Sequence, residues 1–181
     1  MAKRFDSYEE ARTEIQNGDV VFIHGSKFKP LQYIVMYFTD SPFAHVGLAF
    51  WVTLEDGERR LMMVEAQGGS RRRMVNMSTY RDRNINVIKA PRPWKEISRP
   101  ALDRERLGRS KYGWIAAVYI GLREKLSRYI RLPVTRFSGE ICSEFIARLE
   151  EMPKVRVSPQ RLWEEFLCEG EQVRLRIRPL E

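Results

Sequence analysis

The chain has 181 residues, of which 43% are hydrophobic, 31% charged and 11% aromatic. This composition is typical of a globular protein, and the length predicts a single domain over residues 1–181, which excludes tandem, disordered and fibrous architectures. The formal net charge is +8, but residues 71–136 hold 18 Lys and Arg against 5 Asp and Glu, a net of +13, and the other residues have a net of −5. Such a segment either forms solvated surface or attracts nucleic acid, anionic lipid or an acidic polymer.

Cysteine content and apolar runs bear on the compartment. Two cysteines, Cys142 and Cys168, are too few for the disulfide framework of a small secreted domain. Residues 1–15 mix acidic and basic side chains without the apolar run of a signal peptide, and the longest apolar run, residues 112–122, is about half of a membrane span. We therefore expect free thiols in a cytoplasmic protein, with export by another route or phage encoding left open.

The first half of the chain predicts a sheet. Ser7 before two glutamates, with Gly18 as a stop, predicts a short N-terminal helix, and residues 28–39 have helical spacing of apolar side chains. β-Branched and aromatic runs between turn residues predict strands over residues 20–23, 43–52, 61–66, 71–77 and 84–90. The turn Glu55-Asp56-Gly57-Glu58 favours a hairpin between the second and third of these strands.

The second half of the chain predicts helices. Pro91, Pro93 and Pro100 indicate a linker, after which the apolar periodicity is helical. We expect helices near residues 101–108, 112–130, 141–151 and 159–168, followed by an alternating strand over residues 173–178. A sheet-rich half followed by a helix-rich half indicates an α+β domain.

Two ionisable side chains fall inside the predicted hairpin. The period of a strand puts His45 on one face with Gly47 and Ala49, whose small side chains leave room for another element or a substrate near the imidazole. Glu65 interrupts an apolar run on the returning strand, and a buried carboxylate needs a partner. We expect either that His45 is this partner or that Glu65 faces water at the sheet edge.

Cys142 lies near the predicted start of a helix. With Ser138 or Gly139 near the cap, the cysteine falls in the first turn, where free amides and the helix dipole favour a thiolate. A histidine that takes the thiol proton and a carboxylate that orients this histidine would complete a nucleophilic site. Cys168 lies near a helix end without such a setting, and we interpret it as an ordinary thiol.

Several short motifs follow one another in a characteristic order. They are Gly18-Asp19-Val20-Val21, Ser41 with Ala44-His45-Val46-Gly47-Leu48, Val64-Glu65-Ala66, Tyr112, Cys142-Ser143-Glu144-Phe145 and Ser158-Pro159-Gln160-Arg161-Leu162. In this order, over about residues 18–165, the sequence resembles the circularly permuted papain-like fold, in the NlpC-type branch that includes YiiX-like proteins and is related to lecithin:retinol acyltransferases. Ile141 departs from the aromatic residue that relatives often carry before the cysteine.

The resemblance implies a fold and an activity. The fold would be an antiparallel sheet or small barrel packed against a helical half, with the nucleophile at a helix N-terminus. The activity would be that of a thiol amidase, peptidase or acyltransferase that needs no metal or organic cofactor and acts on a peptide, cell-wall or lipid-like acyl substrate. Cys142 would be the nucleophile, His45 the base and Glu65 the orienting residue. Tyr112 and Ser143 would border the cleft or, with the Cys142 amide, help form an oxyanion hole.

Three alternatives compete with this assignment. A non-enzymatic module would bind nucleic acid or anionic lipid through the basic segment, with aromatic side chains for stacking. The residues that would carry it are Arg71, Arg72, Arg73, Arg123, Lys125, Arg128, Arg131 and Arg136, with Tyr80, Trp94 and Tyr129. A zinc site would use His45, Glu65 and Cys142 as ligands. His24 is the alternative to His45 as the base. We infer no stable binding partner for the protein from its sequence.

Overall fold

A seven-stranded mixed sheet forms the centre of the molecule. The computed structural model describes residues 2–26, 32–33, 36–37, 41–66, 72–107, 119–120, 122–123, 126, 141–153, 157–168 and 173–179. Its strands are β1 (Lys3–Phe5), β2 (Val20–His24), β3 (Phe43–Thr53), β4 (Arg59–Ala66), β5 (Arg72–Asn76), β6 (Ile85–Ile88) and β7 (Val173–Ile177). The helices whose bounds fall within the described residues are α1 (Tyr8–Ala11), α2 (Trp94–Leu107), α3 (Cys142–Leu149) and α4 (Pro159–Cys168), with 3-10 helices at Arg12–Glu14 and Met77–Tyr80.

The strands are ordered β1-β7-β6-β2-β3-β4-β5 across the sheet. All neighbouring pairs are antiparallel except β1 and β7, which are parallel. The α+β class and the β3–β4 hairpin are therefore confirmed, whereas the expected antiparallel sheet is a mixed one. The parallel pair was missed because β1 has only three residues, two of them exposed, and therefore no apolar pattern.

Each face of the sheet packs against its own hydrophobic cluster. The first cluster joins β2, β3, β4 and β6 to helices α2, α3 and α4, and Phe22, Trp163 and Phe166 pack edge to face within it. The second cluster joins the opposite face to α1 and includes Val21, Ala49 and residues of β7. Alternate residues of the strands enter opposite clusters, as expected for a sheet covered on both sides.

Helix α2 begins earlier than predicted. It starts at Trp94 rather than near residue 101, and it contains Pro100, so the predicted linker is correct only before Trp94. A proline inside a helix removes one backbone hydrogen bond. Ile97 and Ala101, on either side of Pro100, are completely buried, which indicates that packing on the sheet compensates for this loss.

The other predicted helices divide into described and undescribed parts. Residues 32–33 and 36–37 of the helix predicted at 28–39 are helical, as are residues 119–120, 122–123 and 126 of the helix predicted at 112–130, and the remaining residues of both lie outside the described part. Helices α3 and α4 confirm the predictions for residues 141–151 and 159–168 to within two residues at each end. Among the helices whose residues are described, none combines the length and the apolar character that crossing a membrane requires.

Candidate active site

His45 lies beside an irregularity in the pairing of β2 with β3. Ile23 pairs with His45 whereas His24 pairs with Phe43, so Ala44 is an extra residue on β3. A bulge of this kind changes the direction in which the neighbouring side chains point. Because of this bulge, Phe43 lies in the first cluster. His45 lies on the same face of the sheet as Ile23, and Ile23 belongs to the second cluster.

We predicted that the small residues next to His45 leave open space near the imidazole, but the space at Gly47 is used for packing. A Cβ at Gly47 would lie 2.6 Å from both Cγ and Sδ of Met63, so the space above this glycine is already filled. Gly47 therefore serves packing within the second cluster and leaves no open approach to the imidazole from that side. Its cross-strand partner is Glu65, which lies diagonally opposite His45 on β4.

Glu65 is completely buried and is hydrogen bonded to His45. The distance from His45 Nε2 to Glu65 Oε2 is 2.8 Å. We expected Glu65 either to pair with His45 or to face water at the sheet edge, and in the structure it is buried and paired with His45. Neither group has freedom to turn away, because both belong to the hydrogen-bonded β3–β4 hairpin and only 8% of His45 is exposed.

Arg73 and Tyr80 complete the surroundings of Glu65, whereas the sequence indicated them only as candidates for polyanion binding. Arg73 lies opposite Glu65 on β5 and donates its Nε–H to Oε1 at 2.8 Å. The Tyr80 hydroxyl donates to Oε2 at 2.7 Å. Burial by itself raises the pKa of Glu65, but the hydrogen bonds and charge of His45, with those of Tyr80 and Arg73, hold this pKa below its usual value.

Cys142 is the first residue of α3 and is 2% exposed. The N-cap is Ile141, in an extended conformation and without a side-chain capping bond, rather than Ser138 or Gly139, which lie outside the described residues. The backbone amides of a first helical turn have no partner within the helix, and they carry the positive end of its dipole. Cys142 therefore has the N-terminal helical position expected for a nucleophilic thiol.

The imidazole of His45 has a partner on each side. The Cys142 side chain interacts with the ring, and because Nε2 is engaged by Glu65, the nitrogen available to the sulfur is Nδ1. Burial by itself lowers the pKa of His45, but the hydrogen bonds and negative charges of Cys142 and Glu65 prevail and raise it to about 10. At neutral pH the ring is accordingly an imidazolium between a sulfur and a carboxylate.

The remaining predicted site residues lie elsewhere or have other partners. Tyr112 lies outside the described residues. Ser143 is completely buried, and its hydroxyl donates to the carbonyl of Val157, which ties α3 to the segment before α4. The Ser143 side chain is thus occupied in packing, and only its backbone amide is left for an oxyanion.

His24, the alternative base, contacts other groups. Its ring packs edge to face on Phe43, with 5.0 Å between centroids, and it bonds to Asn86. Burial, followed by the positive charge of Arg178, holds the pKa of His24 below its usual value. Both cysteines are free, but Cys168 is exposed at the end of α4, away from any such constellation among its described neighbours.

Several residues of the proposed polyanion-binding module and of the proposed zinc site contact other side chains of the chain. Arg73 and Tyr80 contact Glu65, and Trp94 stacks on Phe50 with 5.5 Å between ring centroids. Most of the other basic residues proposed for polyanion binding, and Tyr129, lie outside the described residues. The His45 nitrogen and Glu65 oxygen that a zinc ion would need are bonded to each other, and no cluster of three metal-ligating side chains occurs in the described ranges.

No family model matches the sequence, and no curated protein matches it. The site of Cys142, His45 and Glu65 is therefore described by its own geometry.

Proposed function

We propose that the protein is a thiol hydrolase that cleaves an amide or ester bond through a cysteine acyl-enzyme. The observation that carries this proposal is the His45 imidazole, which is hydrogen bonded to Glu65 and interacts with the Cys142 side chain at the start of α3. Cysteine-based acyl transfer requires a nucleophile, a base beside it and a carboxylate that orients the base, and these three groups are arranged here in that order. Their order along the chain, with the histidine strand before the cysteine helix, supports assignment to the permuted papain-like fold.

In the first step the Cys142 thiolate attacks the carbonyl carbon of the substrate, and the electron pair of the carbonyl moves onto its oxygen. The backbone amides at the start of α3 are suitable donors for this oxyanion, because they lack helical partners. As the tetrahedral intermediate collapses, the imidazolium of His45 donates its Nδ1 proton to the leaving amine or alcohol. The bond to the leaving group breaks, and a thioester remains on Cys142.

In the second step water replaces the leaving group. Neutral His45 takes a proton from the water, and the hydroxide attacks the thioester carbon. The thiolate leaves, the acid product departs, and the imidazolium is restored beside the sulfur. Glu65 keeps its negative charge throughout and stabilises the imidazolium at both stages. If an alcohol or amine took the place of water, the protein would act as an acyltransferase. Neither hydrolysis nor acyl transfer by this route requires a metal or an organic cofactor.

The experiment is acylation by p-nitrophenyl acetate, followed by release of p-nitrophenolate and by intact-protein mass. We expect a burst of one equivalent and an acetyl group on Cys142. Cys142→Ser and His45→Ala remove the burst, whereas the matched control Cys168→Ser keeps it. Slow acetylation of both cysteines to the same extent, without a burst, would contradict the proposal. A His24→Ala variant that loses the burst while His45→Ala retains it would assign the base to His24.

A further inference from the structure

The carboxylate of Glu65 is held by three side chains from three elements. His45 on β3 and Tyr80 in the 3-10 helix Met77–Tyr80 both bond to Oε2, at 2.8 and 2.7 Å, and Arg73 on β5 bonds to Oε1 at 2.8 Å. Both oxygens are occupied and Glu65 has no exposed surface. Orientation of His45 needs only one of these three contacts, so the other two require their own explanation.

Arg73 supplies a charge that the site otherwise lacks. A buried carboxylate without a cation is driven towards its protonated form, which would withdraw the acceptor from His45. In the proposed reaction the imidazolium of His45 also balances the reacting sulfur anion, so Glu65 needs a second cation, and the guanidinium of Arg73 supplies it at 2.8 Å. The titratable and charged groups that face Glu65 are His45, Arg73 and Tyr80, with Cys142 beyond the ring.

Tyr80 links the guanidinium to the imidazole. Its hydroxyl donates to Glu65 and interacts with Arg73, and its ring centroid lies 6.1 Å from that of His45. Burial, followed by the negative charge of Glu65, raises the pKa of Tyr80 above its usual value, so the phenol keeps its proton and acts as a donor. Tyr80 thus holds the one carboxylate oxygen that also receives the His45 hydrogen bond.

We propose that Arg73 and Tyr80 are positioning residues, which keep Glu65 ionised and aligned on His45 Nε2 so that Nδ1 stays turned towards Cys142. The inference rests on the proposed function, because it concerns the same site. Both residues bond to the carboxylate of Glu65, so both act through Glu65. The side chain of Arg73 is 40% exposed, which means that it can be replaced without opening a cavity in the core.

The test measures the rate at which iodoacetamide alkylates Cys142 as a function of pH, with Cys168 as the internal reference. The variants are Arg73→Gln, Arg73→Lys and Tyr80→Phe. Matched controls are Arg60→Gln, which removes an exposed arginine paired with Glu58, and Tyr33→Phe, which removes the hydroxyl of a tyrosine that is 50% exposed. A second readout is the exchange rate of the His45 Nε2–H proton by NMR, which needs no substrate or alkylating agent.

We expect Arg73→Gln to move the acid midpoint of Cys142 alkylation upward by about 0.5 to 1 pH unit, because loss of a nearby cation makes both anions of the site easier to protonate. Arg73→Lys and Tyr80→Phe give smaller upward shifts, since each retains part of the contacts. The Nε2–H proton exchanges faster in all three variants. Both controls keep the wild-type midpoint and the wild-type exchange rate.

Folded Arg73→Gln and Tyr80→Phe proteins with the wild-type midpoint, to within about 0.2 pH unit, would overturn the proposal. If Arg73→Gln does not fold, Arg73→Lys and Tyr80→Phe decide by the same criterion. If wild-type Cys142 reacts no faster than Cys168, it is the proposed function that fails. Proton exchange then decides the positioning role alone, because unchanged exchange in the variants overturns it and faster exchange supports it.

Discussion

His45 and Glu65 lie on neighbouring strands, diagonally across the β3–β4 ladder, and their side chains meet at 2.8 Å. The direct partner of Glu65 is Gly47, so the residue next to the carboxylate on β3 has no side chain that could come between the two groups. The geometry of this pair is therefore set by the register of the hairpin rather than by a mobile loop. Its protonation follows from the same contacts, because the pKa of His45 is raised and that of Glu65 is lowered.

Replacement of Glu65 by Gln is expected to destabilise the protein in a pH-dependent way. The variant removes the carboxylate that is paired with both the imidazolium of His45 and the guanidinium of Arg73, and we expect a loss of about 2–3 kcal/mol near pH 6. Solvent screens the Arg73 part, since that side chain is 40% exposed. Cys142 alkylation at pH 7 also slows, because the imidazolium loses the carboxylate that stabilises it.

The pH dependence of this loss has a definite sign. The pKa of Glu65 is lowered from 4.5 in the folded protein, so its contribution is complete above pH 4.5 and is lost on acidification below that value. The pKa of His45 is raised from 6.5 to about 10, so its contribution is complete below pH 6.5 and declines towards pH 10. Urea unfolding of both proteins from pH 3 to 10 measures the difference, which is greatest between pH 4.5 and 6.5. A difference that is constant over this range would contradict the assigned ion pairs.

Strands β2 to β7, and His45 and Glu65 within them, were predictable because strand patterns are local properties of the sequence, and Cys142 was predictable from its place at the start of a helix. The alternation of residues 43–52 and 61–66 puts His45 and Glu65 on corresponding faces, and the hairpin turn brings the faces together. The bulge at Ala44 was not predictable, because it depends on how β3 pairs with β2, and these strands are far apart in the chain. The pairing of β1 with β7 is more distant still.

Arg73 could have been recognised from the sequence. If a hairpin turn is centred near residue 69, at the glycine pair 68–69, Glu65 and Arg73 are equidistant from it and must face each other. The net charge of residues 71–136 does not indicate this pairing, because a net charge carries no information on strand register. Tyr80 offered no such signal, because it lies in a 3-10 helix without strand periodicity.

Ser143→Ala is expected to reduce stability without changing the chemistry of Cys142. The substitution removes a buried donor and leaves the Val157 carbonyl unpaired, at a cost of about 1–3 kcal/mol. Thermal and urea unfolding measure this cost, and the pH profile of Cys142 alkylation should stay unchanged. A variant of wild-type stability whose alkylation is slowed would instead give the Ser143 hydroxyl a direct part in the site.

Gly47→Ala is expected to cost about 1–3 kcal/mol, because the new methyl group would overlap the buried Met63 side chain. The cost should fall sharply in a Met63→Ala background, since the overlapping atoms are absent there. Met62→Ala is the matched control: its side chain packs against the opposite face, and in that background Gly47→Ala should cost as much as in the wild type. Equal costs in all three backgrounds would show that Met63 is not the reason for a glycine at this position.

Asp19→Asn is expected to stabilise the protein near pH 7 and to have little effect near pH 3. Burial raises the pKa of Asp19 from 3.8 to about 6, although a backbone hydrogen bond from Gln16 and the charge of Arg174 oppose it. A carboxyl group with a raised pKa in the folded state binds its proton more tightly there, so wild-type stability falls as the pH rises from about 4 to 6. A shift of about two pH units corresponds to at most about 3 kcal/mol, and the opposing attraction of Arg174 is already included in this shift.

The measurement for Asp19 is the slope of the unfolding free energy between pH 4 and 6, compared between the wild type and Asp19→Asn. The asparagine oxygen can still accept the Gln16 amide hydrogen bond, so the variant removes the titration while preserving the turn before β2. Asp82→Asn is the matched control, since its side chain is 90% exposed and its removal should leave the slope unchanged. An identical slope in wild type and Asp19→Asn would mean that the pKa of Asp19 is not raised by folding, and that the ion pair with Arg174 offsets the burial of the carboxylate.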